Sequence, residues 1–253
     1  MDAAALSQGS FGTDFLKAPI SVAMSQGSQQ DLLLATLGSL LVWTDSYFIL
    51  HALNRKRSAE WNCRIITTVH ALLASGLCFT SAIITGPWPF TYLGEANTNL
   101  HNIAVVITLG YFLFDFSWCV IMRTEGPVML AHHAVSIFAL VYSLYHGKFG
   151  SEVTAVMGAS EFTNPLLQLR WFMRQTGQYN GRKAFWVDLL FMITFVGARL
   201  GAGSVYHYVC QTSPKIYLAA KAGGQVFYII SVVFGVQVLM FFYKKYLRKR
   251  RTM

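Results

Sequence analysis

Charge is what this sequence has least of. Only 12% of its 253 residues are charged, where a soluble domain carries about a quarter. Hydrophobic residues make up 54%, and mean hydropathy is +0.44. An ordinary soluble domain is excluded, and an integral membrane protein is implied. Metal-binding spacings are missing as well. The four cysteines, Cys63, Cys78, Cys119 and Cys210, form no CxxC, and no two of the seven histidines make an HxxxH or HxxHH cluster. Neither a zinc site, a disulfide framework nor a di-iron desaturase centre is indicated, so no metal and no bound cofactor is expected. The absence of a Gly-x-Ser-x-Gly elbow speaks against a serine hydrolase, and without an Asn-x-Ser/Thr sequon glycosylation gives no guide to sidedness. Residues 1–30 lack a basic stretch followed by an apolar core, as a signal peptide would need. They are rich in Ser, Gly and Gln, repeat SQGS at Ser7–Ser10 and Ser25–Ser28, and read as a disordered tail.

What is there is long apolar runs. Stretches of about 20 residues, enough to cross a bilayer, begin near Asp31, Arg64, Asn102, Gly126, Gly150, Ala184 and Ile216. The expected fold is all-α and integral to the membrane, with about seven transmembrane helices. The run from Gly150 to Leu169 is the weakest. It holds Glu152, Glu161, Asn164 and Pro165, and is either a polar inner helix or a broken one. Residues 31–243 form the membrane domain, and 244–253 a basic cytosolic tail.

Lys and Arg collect on the cytoplasmic side of membrane proteins. With seven spans and a lumenal N-terminus, fifteen of the 20 fall in inside segments (residues 55–64, Arg123, 170–183 and KKYLRKRR) and four outside (Lys17, Lys148, Lys215, Lys221). Topology thus explains the net charge of +9, and nucleic-acid binding is set aside. GPWPFTY, Gly86–Tyr92, reads as an outer loop with interfacial aromatics, and GARLGAG, Gly197–Gly203, as a close-packing stripe.

Counted from the cytoplasmic end of each helix, Asp45, His70, Asp115, His132, His133, Glu161 and Asp188 fall in one layer, roughly 6 to 12 Å deep. Singly, each reads as a satisfied structural group. Together they are too costly to serve as glue, since interhelical hydrogen bonds yield only about 0.6 kcal/mol on average. Residues sharing their helix faces include Ser136 with His132, Asn164 with Glu161 and Arg199 with Asp188. Adjacent on a helix, His132 and His133 are about 100° apart, so one faces a given centre and the other braces. The chemistry left is a histidine oriented by Asp115 or Glu161, able to take a proton from an amine or hydroxyl or to attack an acyl group. Asp45, His70, Ser136, Asn164, Asp188 and Arg199 would line the cavity. On the cytosolic side Arg55, Arg57, Arg170 and Arg174 are candidates for holding phosphates.

The segments VHALLASG with His70, GYFLFDF with Asp115, LAHHAVS with the paired histidines and ASEFTNPLLQLRWFMR with Glu161, Asn164 and Arg170 together resemble the TLC family (TRAM, Lag1 and CLN8 homology). The resemblance runs from about Leu32 to the last span. It implies six core helices forming a barrel, in an intracellular membrane such as the endoplasmic reticulum. Ceramide synthases of that family join an acyl group from acyl-CoA to a sphingoid amine using the paired histidines, which His132 and His133 match. Ser136 stands where those enzymes keep Thr, while Thr154 and Met157 stand where they keep aspartates. The resemblance therefore implies a membrane lipid or fatty acyl group as ligand and acyl-CoA as co-substrate, and ceramide synthesis is not expected. Other members are linked to membrane lipid composition, so a non-enzymatic lipid-homeostasis protein is the alternative.

Overall fold

The computed structural model describes residues 29–248, so the Ser/Gly/Gln-rich segment, apart from Gln29 and Gln30 at the start of the first helix, and the last five residues lie outside the described part. The described chain is helical: α1 (Gln29–Leu53), α2 (Ala59–Phe79), α3 (Asn99–Met122), α4 (Pro127–His146), α5 (Gly150–Glu161), α6 (Asn164–Gln175), α7 (Gly181–Val196), α8 (Gly203–Thr212) and α9 (Leu218–Phe242). Wider π-helical turns extend α2 through Thr85, join α7 to α8 over Gly197–Ala202, and extend α9 through Leu247. Six of the resulting helices are long and apolar enough to cross a membrane: α1, extended α2, α3, α4, α7–α8 and extended α9. This is an all-α multi-pass membrane protein.

The seventh apolar segment is the broken one. Pro165 has no N–H, so the Glu161 carbonyl lacks its i+4 donor and α5 stops there. The same proline then suits the first turn of α6, where a missing N–H costs nothing. Other boundaries are also written locally. The Ser58 hydroxyl accepts from Trp61 N at 3.1 Å at the start of α2. Thr98 and His101 cap α3 reciprocally at 3.2 Å each. Pro127 opens α4, and Gly147 closes it in the left-handed region.

α1 packs chiefly on α3, α2 on α5, and α4 on both α3 and α9. The α1–α3 contact is backbone-close. A Cβ at Gly110 would lie 2.7 Å from Leu40 N, and Ser39 Oγ and Trp43 Nε1 both donate to the Ile107 carbonyl at 3.1 Å. Trp43, Tyr47, Tyr111, Phe112 and Phe114 fill the core beside this seam. The GARLGAG stripe does not act as a close-packing seam. A Cβ at Gly197 would meet nothing within 4 Å, whereas the tight approach is Leu200 onto Gly235. Its small residues instead form the wide turn that carries Arg199.

Interactions sort the segments into two ends. Arg64 Nη1 reaches Gln168 Oε1 at 3.1 Å and Arg64 Nη2 lies 3.8 Å from Glu125, while Lys245 Nζ reaches Asp188 at 2.8 Å. These define a basic end. At the proline-loop end, Asn97 N donates to the Gly147 carbonyl at 2.8 Å and Gly94 N to Glu152. α5 and α6 together run from the proline-loop end to the basic end. Lys244 and Lys245, read from sequence as the start of a tail, lie on the last helical turns.

Candidate functional site

Two cavities of similar size meet inside the bundle. The chamber toward the proline-loop end, about 370 Å³, is walled largely by apolar side chains such as Phe79, Phe138, Tyr142, Val156 and Phe227. The cavity toward the basic end, about 340 Å³, is walled by Arg64, Asp115, His133, Asn164, Gln168 and Arg170 among others. Phe112, His132, Ser160, Glu161 and Arg199 line both.

His132 and His133 divide the work as their 100° offset requires. His132 stands between the cavities against Phe227 and Phe234, with ring centroids 5.1 and 5.8 Å away. Its Nδ1 is buried without a hydrogen-bond partner. His133 turns to Asp115, Nε2 to Oδ2 3.5 Å, and lines only the polar cavity. Ser136 lines the chamber, but its hydroxyl donates to the His132 carbonyl at 2.8 Å and leaves the ring alone.

Glu161 ends α5, and the proline break places it at the head of a polar chain. Asn164 Nδ2 donates to Glu161 Oε2 at 3.1 Å, Gln168 Nε2 to Asn164 Oδ1 at 2.9 Å, and Arg64 to Gln168. Arg64 ends the chain on Glu60, 2.8 Å away. His70 lines neither cavity. It is fully buried behind Glu161, its Nδ1 3.7 Å from Oε2 and its Nε2 3.4 Å from Thr108 Oγ1, and it stacks on Tyr111 with centroids 3.7 Å apart.

Three further expected placements are corrected. Asp45 is exposed on α1 and touches neither cavity. Asp188 is buried but taken up elsewhere, accepting from Arg170 Nε at 2.7 Å, Lys245 at 2.8 Å, and the Tyr179 and Tyr246 hydroxyls at 2.6 Å each. It shares a helix with Arg199, but 11 residues separate them by about 16 Å along the axis. The arginines proposed for phosphate are likewise committed or remote. Arg170 lines the polar cavity while bound to Asp188, and Arg55, Arg57 and Arg174 are exposed and line neither cavity. Arg57 lies over Trp61 and Arg174 over Tyr179, at 4.2 and 4.7 Å. Arg64 is the residue that sequence reasoning missed, while Gln168 is foreseen by its place on the face of Glu161 and Asn164. The i+4 spacing of Arg64 to Glu60 was the available signal.

Glu125, in the loop beside Arg64, has its carboxyl raised above the usual range by burial, an effect that Arg64 opposes. Asp115, Cys119 and His133 bring one donor atom each to within 4.8 Å of one another. Three donors are the number that an open metal site carries, and this trio is not foreseen from sequence spacing.

Arg199 reaches the junction with Nε and Nη1 buried and unpartnered. Burying a guanidinium without an acceptor costs several kcal/mol, on the order of 3 to 5. The junction therefore offers an imidazole, a carboxylate and a free guanidinium between an apolar and a polar void. It suits an amphiphile whose polar group is held at the junction and whose chain lies in the chamber.

An all-α membrane bundle with such a junction defines a class, and the sequence comparisons place the chain within it. The TLC domain (TRAM, LAG1 and CLN8) family matches residues 60–245, so the chain belongs to that family. It is similar to the human TLC domain-containing protein 4, 28% identical over 216 residues covering 77% of this chain and 75% of the relative. TLC domain-containing protein 4-B of Xenopus laevis is 24% identical over 169 residues, covering 62% of this chain and 60% of the relative. The corresponding Danio rerio protein is 29% identical over 125 residues, covering 45% and 43%. No solved structure matches the chain.

Proposed function

We propose that this protein binds a membrane lipid or fatty acyl group in the apolar chamber and transfers an acyl group, taken from acyl-CoA, to a lipid acceptor. The observation that carries the reading is that the two cavities meet at His132, Glu161 and Arg199. In this scheme a His132 ring nitrogen attacks the thioester carbonyl, the C–S bond breaks, and CoA leaves as a thiolate that takes a proton. The acceptor hydroxyl or amine then attacks the acyl-imidazole and gives up its proton as the ring is released. His133 acts as a positioning residue, its ring oriented by Asp115. Thr154 and Met157 argue against ceramide as product. The Thr154 hydroxyl donates to the Gly150 carbonyl at 2.7 Å, so neither side chain supplies a base for a protonated sphingoid amine.

The set GPWPFT, LGYFLFD, LAHH and FTNPLLQ resembles TLC domain-containing protein 5, also called transmembrane protein 136. A role in lipid metabolism, residence in the endoplasmic reticulum, a lumenal N-terminus and a cytosolic C-terminus complete the proposal. The orientation is supported by the bias of fifteen basic residues to four.

A second reading is favoured by one observation: among the described residues, no carboxylate lies within 4.0 Å of His132, and the acids pair with His133 and His70 instead. A site without an acid on its nucleophile fits a protein that holds a lipid without reacting it. Intact-mass measurement of the purified protein after exposure to palmitoyl-CoA separates the two. Acyl transfer predicts a single added palmitoyl group, absent in His132→Ala and retained in part by His133→Ala. An unmodified wild-type protein that still binds palmitoyl lipid leaves the holding role.

A further inference from the structure

Arginines elsewhere in the polar cavity are matched. Arg64 pairs with Glu60 at 2.8 Å and Arg170 with Asp188 at 2.7 Å. Arg199, which lines both cavities, has no Asp or Glu oxygen within 4.0 Å among the described residues. Glu161 shares its walls but is held by Asn164 and lies 3.7 Å from His70. The Phe195 ring lies 4.7 Å from the centre of the guanidinium, and the Glu161 charge acts on it only from beyond 4.0 Å. Two donor nitrogens, Nε and Nη1, are thus buried with no acceptor among the described residues, on a wide turn of Gly and Ala that delivers them to the junction.

The geometry points to Arg199 as the anchor for the anionic group of a single-chain amphiphile, a carboxylate or a phosphate, with the hydrocarbon chain in the apolar chamber. The Nη1–Nη2 edge of the guanidinium forms a planar fork that matches two oxygens of either group, which the compact ammonium of lysine does not reproduce. Chamber size and lining suit one alkyl chain, and the charge is fixed where the apolar wall ends. This rests on the chamber being a lipid site and is independent of whether acyl transfer follows.

Full-length protein in neutral detergent, titrated by native mass spectrometry with palmitate, palmitoyl lysophosphatidate, monopalmitoylglycerol and hexadecanol, tests it. The anionic probes are expected to bind about tenfold or more tightly than the neutral ones. Palmitate preferred over lysophosphatidate identifies a carboxylate ligand, and the reverse a phosphate. Arg199→Gln should erase the preference while keeping the neutral probes bound, and Arg199→Lys should keep part of it. Equal binding of neutral and anionic probes by the wild-type protein, or a preference that survives Arg199→Gln, overturns the anchor and leaves the lipid chamber standing. Binding of no probe overturns the chamber and the anchor together. Should Arg199→Gln not fold, the wild-type ratio of anionic to neutral binding still decides.

Discussion

At the basic end a single buried carboxylate, Asp188, gathers two cations and two phenols from α6, the following loop and the end of α9. The proline-loop end is tied mainly by neutral groups, with one buried carboxylate, Glu152, accepting from Gly94 N. Asn97 donates to Asn102, to the Ser143 carbonyl and to the Ser143 hydroxyl, and accepts from Gly150 N at 2.7 Å. The ion pair there, Glu95 with Lys215, stands in the open. The cavities follow the same division. Polar walls lie toward the charged clamp, and apolar walls toward the amide ties. Charge is buried where a network can satisfy it, so the void beside that network can be wet, while the chamber that would take a chain is walled mainly by apolar side chains, with Glu152, Glu161 and Arg199 as its buried charged groups.

Removing the centre of the clamp should have the largest effect. Asp188→Ala leaves Arg170, itself buried, without its partner, and breaking a buried pair typically costs about 3 to 5 kcal/mol. Thermal unfolding of purified protein in detergent should show a large loss, and the end of α9 should become accessible to protease. If Asp188→Ala melts like wild type, the basic end is not held by this carboxylate.

An intermediate loss is expected at the opposite end. Asn97→Ala removes the side-chain acceptor of the Gly150 amide and three donated bonds, and leaving a buried polar group unsatisfied costs about 1 to 3 kcal/mol. Hydrogen exchange at the start of α5 should quicken more than at the start of α7. Equal loss of protection at both ends would erase the distinction between a neutral and a charged tie.

These two ties were not equally legible in the sequence. Depth along each helix is simple arithmetic, and of the seven residues it grouped, His132, His133, Asp115 and Glu161 line the cavities while Asp45, His70 and Asp188 do not. Which way a residue faces was harder to read. In lipid the outward face is as apolar as the inward one, and α1 exposes Leu33, Leu34, Leu41, Val42 and Ile49. Its pattern therefore could not tell that Asp45 points away. The break at Pro165 follows from a missing N–H and was readable. The wide turn at Gly197–Ala202 was not, since the same glycines fit a packing stripe. Asp188 misled because its partners Arg170 and Lys245 come from elements 18 and 57 residues away, a convergence that only the tertiary fold creates.

The smallest effect is expected from the exposed pair at the proline-loop end. Lys215 Nζ donates to Glu95 Oε1 at 2.6 Å, with both side chains largely in solvent. That hydrogen bond, aided by the lysine charge, holds the Glu95 carboxyl below its usual range. A depressed carboxyl contributes stability above its unfolded pKa, and the contribution is lost as pH falls through the folded one, so the window lies on the acid side of the ordinary glutamate range. Water and salt screen the attraction, and fixing two long side chains offsets much of what remains. Glu95→Gln should therefore leave the melting temperature at neutral pH nearly unchanged, and any small difference from wild type should vanish at high salt and again in acid. The Asp188 clamp, shielded from solvent, should keep most of its effect in the same salt. If Glu95→Gln proves as damaging as Asn97→Ala, or if salt weakens both ion pairs alike, the two ends are held by the same means and the division between the cavities needs another cause.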